Sequence, residues 1–73
     1  MKTKRQIQIL DPVTLLADRP RDKLVRGQVG TVVEKLDGKS VLVEFSDDKG
    51  RAYAVVPCEM DDLIVLHHVP QAA

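Results

Sequence analysis

Residues 26–45 read RGQVGTVVEKLDGKSVLVEF, and the register inside this stretch decides the fold. Two runs of alternating apolar residues flank Asp37-Gly38, a dipeptide that favours the tight turn of a β-hairpin. A two-residue turn there sets Val32 opposite Val43 and Gly30 opposite Phe45. A four-residue loop would change the pairs and keep the faces, because side chains alternate with period two. Gly27 then permits a tight entry into the strand, and Gly30 falls beside Phe45, where a side chain would collide. No helix follows the glycines to supply aligned amides, so they do not read as a phosphate cradle.

The next turn, DDKG at residues 47–50, extends the pattern. Pairing Ser46 with Arg51 sets Phe45 opposite Ala52, Val43 opposite Ala54 and Val41 opposite Val56. One face then collects Gly30, Val32, Val41, Val43, Phe45, Ala52, Ala54 and Val56, an apolar surface that must point inward. The opposite face carries Thr31, Val33, Leu42, Glu44, Tyr53 and Val55. Apolar side chains gathered on an outer face signal a partner, or a cover supplied by the chain's own termini.

Punctuation places the remaining elements. Residues 7–18 read as a first strand interrupted at Pro12, which lacks a ladder donor. Further strands are expected at 28–36, 41–46, 51–56 and 63–67. RPRDKLVR is a polar loop, CEMDD can form one 3₁₀ turn, and VPQAA is a tail. The expectation is an all-β, five-stranded domain at 7–68, preceded by a basic extension at 1–6 and followed by a flexible tail at 69–73. At 73 residues there is room for one small core.

Eleven Lys/Arg balance eleven Asp/Glu, but unevenly. Residues 1–26 hold seven basic and three acidic groups, and residues 27–73 hold four and eight. A dipolar surface follows, with Arg19, Arg21, Lys23 and Arg26 near one loop. Together with Lys2, Lys4 and Arg5 these form the basic patch of the alternative reading, nucleic-acid binding. Zero net charge and only two aromatic residues, Phe45 and Tyr53, weaken that reading.

Catalysis has poor candidates. Cys58 stands alone after Pro57, which excludes an internal disulfide and suits a buried thiol in a reducing compartment. His67 and His68 are adjacent, so on a strand they point to opposite faces and cannot easily share a metal. Glu59, Asp61 and Asp62 match no calcium-loop spacing. No catalytic residue, metal site, cofactor or small-molecule substrate is expected. Neither a membrane-length apolar run nor a signal-peptide pattern is present, so a cytoplasmic location is expected.

The stretch from Leu10 to Leu66, with its LLAD.P...L..GQVGTVVE, VEFSD..GR.YA and DDLIVL segments, resembles the small bacterial family catalogued as domain of unknown function 4926. The resemblance implies a five-stranded SH3-like barrel, in which the CEMDD 3₁₀ turn would precede the last strand, and it brings no established functional residues. It also implies a cognate protein partner, in an antitoxin-like or accessory role. The expected function is therefore noncatalytic binding of a protein partner, or self-association, through Thr31, Val33, Leu42, Glu44, Tyr53 and Val55.

Overall fold

A computed structural model describes residues 7–47 and 49–66. The expected basic extension 1–6, the tail 69–73, both histidines and Asp48 lie outside the described residues. Five strands form one antiparallel sheet: β1 (Pro12–Leu15), β2 (Val29–Lys35), β3 (Ser40–Ser46), β4 (Ala52–Glu59) and β5 (Leu63–Val65). Their order across the sheet is β4-β3-β2-β1-β5. A 3₁₀ turn at Pro20–Asp22 lies in the long β1–β2 loop, and a second, Met60–Asp62, leads into β5. Among the described residues no helix is long and apolar enough to cross a membrane.

Connectivity forces this sheet to curl. A flat sheet of five strands separates its edges by about 19 Å, four spacings of about 4.8 Å. The edge strands β4 and β5 are joined only by Met60–Asp62, and the four steps from Glu59 to Leu63 reach at most about 14 Å. The 3₁₀ turn spans this gap: Met60 N donates to Lys39 O on the β3 side at 2.8 Å, and Leu16 N donates to Asp62 O on the β1 side at 2.9 Å. The result is the expected five-stranded SH3-like barrel.

Both hairpins depart from the expected turns, with opposite consequences. In the first, Leu36 N donates to Ser40 O, giving a loop of three residues. A bulge between Val32 and Glu34 then adds one residue to β2. The two offsets cancel, so Val32 still faces Val43 and Gly30 still faces Phe45. In the second, Asp47 pairs with Arg51 and an irregularity at Tyr53 adds a residue to β4. Here the offsets add. Phe45 faces Ala54, Val43 faces Val56 and Val41 faces Cys58, two residues beyond the expected register.

A slip of two preserves the faces, so the inward set survives except at its end. Ala52 is exposed because it now lies beyond Phe45, opposite Ser46. Cys58 takes the place gained at the other end and is 2% exposed. Accordingly β4 runs through Pro57 and Cys58, which the sequence suggested as a turn. The first strand is shorter than expected: Pro12 opens it, while Gln8 and Asp11 close a turn through Asp11 N to Gln8 O at 3.1 Å.

The core consists of Ile7, Val13, Leu15, Leu24, Val32, Val41, Val43, Phe45, Val56, Cys58 and Leu63. Phe45 is the largest fully buried side chain. Gly30 lies on β2 between Val13 of β1 and Phe45 of β3, and its missing side chain lets Phe45 and Val43 pack across the strand. Leu24, expected in a polar loop, is 1% exposed and pins that loop to the barrel. Mutual backbone hydrogen bonds between Arg19 and Leu24 support it, at 2.8 and 3.0 Å.

Candidate functional site: the outer face of the β2–β3–β4 sheet

The alternation that sends Val32, Val43 and Val56 inward sends their neighbours outward. Thr31, Glu44 and Val55 form one cross-strand row, with Glu44 on the central strand. Leu42 pairs with Pro57 on one side. On its other side the bulge substitutes Glu34 for the expected Val33, so Val33 is the extra residue and a carboxylate borders that end. Val55 and Tyr53 are 51% and 46% exposed. Thr31, Val33, Leu42 and Glu44 are half-buried. All six expected residues thus lie on β2, β3 and β4, centred on Glu44.

Tyr53 is tied down at its far end. Gln28 Nε2 donates to the Tyr53 hydroxyl, and Gln28 Oε1 accepts from Val25 N at 3.0 Å. The contact links β4 to the end of the β1–β2 loop. Nothing in the pattern of alternation signals this contact, because the two residues are far apart in sequence.

The free edge of β4 is guarded. Met60 bonds towards β3 through its N–H, so by alternation Cys58 and Val56 also direct their backbone groups to β3, while Val55 and Pro57 face the open edge. Pro57 has no N–H to offer there, and its carbonyl accepts from Arg19 Nη2 at 3.2 Å. A proline and a covering cation are two ways of blocking edge-to-edge pairing.

That contact alters the reading of the basic patch. Arg19 is occupied: besides Pro57 it reaches Asp22 Oδ2 through Nε at 3.2 Å. Arg21, Lys23 and Arg26 are exposed on the same loop. The groove beside them is lined by Asp18, Asp22 and Asp62 together with Arg19 and Arg21, a mixed surface in place of a uniformly positive one. Asp18 also accepts from Arg26 N at 2.8 Å.

Cys58 is buried, and burial pushes its thiol above the ordinary value. This is the reverse of the depressed pKa that activates a nucleophile. Among the described residues no group of three His, Cys, Asp or Glu could hold a metal ion.

The arrangement defines a small all-β domain with an exposed apolar residue, Val55, on the outer sheet face, and with further exposed apolar side chains that include Leu10, Val25, Val29 and Ile64. By sequence, residues 9–65 match the family described as Domain of unknown function (DUF4926), and the chain belongs to that family. No curated protein and no solved structure matches it.

Proposed function

We propose that this domain is a noncatalytic protein-binding module that engages a protein partner through the outer face of β2, β3 and β4. The observation that carries the reading is the exposure of Val55 on the same face as Thr31, Leu42 and Glu44, with the exposed ring of Tyr53 two residues away in the β4 irregularity and bonded to Gln28. An accessory or antitoxin-like role beside a cognate partner in the reducing cytoplasm suits a module of this kind. The interleaved carboxylates around Arg19 and Arg21 weigh against the alternative, nucleic-acid binding, which draws its affinity from a basic face.

The experiment is copurification from the source cells with wild-type protein and with the Tyr53→Lys, Val55→Lys double variant. The variant should melt close to wild type and lose the partner. Retention of the partner by a folded variant refutes the face as the interface. Affinity for mixed DNA and RNA, tight at low salt and falling steeply as salt rises, would replace this reading with the alternative.

A further inference from the structure

From its own strands the outer face projects carboxylates alone; the Arg19 guanidinium, at the β4 edge on the Pro57 carbonyl, is paired with Asp22. Glu34 pairs with Leu42, Glu44 with Thr31 and Val55, and Glu59 with Ser40, so all three glutamates project from the face that holds Leu42 and Val55. By the same alternation no Lys or Arg of β2, β3 or β4 lies on it, since Lys35 pairs with inward-facing Val41. Arg51, just before β4, is engaged by Asp47. Glu44 is half-buried at the centre of the patch, and among the described residues no donor or cation reaches it, Glu34 or Glu59.

We infer that this face takes a partner surface that is both apolar and cationic, with lysine or arginine side chains positioned over Glu44 and over Glu34 and Glu59, which lie from it towards the β2–β3 hairpin. The inference rests on the protein-binding reading above and specifies its chemistry. A half-buried carboxylate without a partner loses hydration when a surface closes over it, and only an incoming cation or donor offsets that loss. The same geometry disfavours self-association through the face. A two-fold interface brings each residue near the axis close to its own copy, so two Glu44 carboxylates would meet with two further pairs of glutamates around them.

The test uses the full chain and two synthetic amphipathic peptides of identical leucine pattern, one with lysine and one with glutamate at every polar position. Binding is followed by amide chemical shifts and by titration at two salt concentrations. The lysine peptide should bind, shift Thr31, Leu42, Glu44 and Val55, and weaken as salt rises, while the glutamate peptide should not bind. A Glu34→Gln, Glu44→Gln, Glu59→Gln variant should lose about tenfold in affinity, as expected for three ion pairs of modest strength. Val55→Lys should lose binding as well.

Equal binding of both peptides at this face would overturn the charge inference and leave the interface reading standing. Shifts centred on the β1–β2 loop, or no binding of either peptide, would overturn both. If the triple variant, free of peptide, shifts the amides of residues 2–5, the chain's own lysines supply the cations and the external partner is refuted. Sedimentation of the wild type should show a monomer, and a dimer that Val55→Lys dissociates would count against the inference.

Discussion

Gly30→Ala isolates the closest approach in the fold. A Cβ built on Gly30 lies 2.6 Å from Val43 Cγ1, 2.8 Å from Glu44 O and 2.9 Å from Phe45 Cδ1. Carbon atoms pack comfortably at about 3.5–4.0 Å, so all three contacts are forbidden. Val43 could rotate away from one of them. The Glu44 oxygen cannot, because it is backbone, and Phe45 is fully buried with nowhere to swing. Strands β2 and β3 would have to separate. Overpacking of this kind reaches about 3 kcal/mol, against a total stability of roughly 4–11 kcal/mol for a chain of this length. At about 4–8 °C per kcal/mol the melting temperature should fall by about 12–24 °C.

Two controls separate crowding from backbone effects. Gly27 has nothing within 4 Å of its built Cβ but a φ of +91°, so Gly27→Ala should cost only about 1–2 kcal/mol of left-handed strain. Thr31→Val, on the outer face, should stay within about 0.5 kcal/mol of wild type. Thermal denaturation of the three variants side by side gives the order. A Gly30→Ala protein that melts no lower than Thr31→Val would refute the close approach of β2 to β3. Combining Gly30→Ala with Val43→Ala should be less than additive, since one change relieves a clash made by the other.

Arg19→Ala should remove the cover over Pro57 and the ion pair with Asp22, lowering stability in urea by about 0.5–1.5 kcal/mol and speeding exchange of the Val56 and Cys58 amides, which face β3; unchanged exchange would show that the guanidinium does not hold that edge. Asp37 and Asp47 each accept two backbone N–H bonds from their own hairpin loops, and these bonds hold both carboxyls below the ordinary value. Their folded pKa therefore lies below the unfolded one, so the stabilisation is complete above about pH 4 and is lost as pH falls towards the folded value. An Asp37→Asn, Asp47→Asn protein should show a shallower acid limb in melting experiments from pH 6 to 2, and an identical limb would assign acid sensitivity elsewhere. Cys58 should resist iodoacetamide in the native protein and react once urea unfolds it, as its burial requires; rapid native labelling would mean that β4 opens readily at its C-terminal end.

Periodicity alone assigns the inward side chains of β2 and β3. Alternation over 29–35 and 40–46 sends Val32, Val43 and Phe45 to one face, and even the unexpected two-residue slip between β3 and β4 leaves that assignment intact, because the pleat repeats every two residues. The contrast between Gly30 and its outer neighbour Thr31 was legible for the same reason, as was the loop role of Asp37-Gly38 and of Lys49-Gly50. Which residues stand opposite one another is not legible in that period. Register depends on loop length and on bulges at Val33 and Tyr53, and a bulge has no period to read. It is register that exchanges Val33 for Glu34 beside Leu42, aligns Glu59 with Ser40, and so gathers three glutamates around the apolar face. The burial of Leu24 and the contact of Arg19 with Pro57 were hidden for a related reason: both arise where the barrel closes, between segments that local spacing cannot relate.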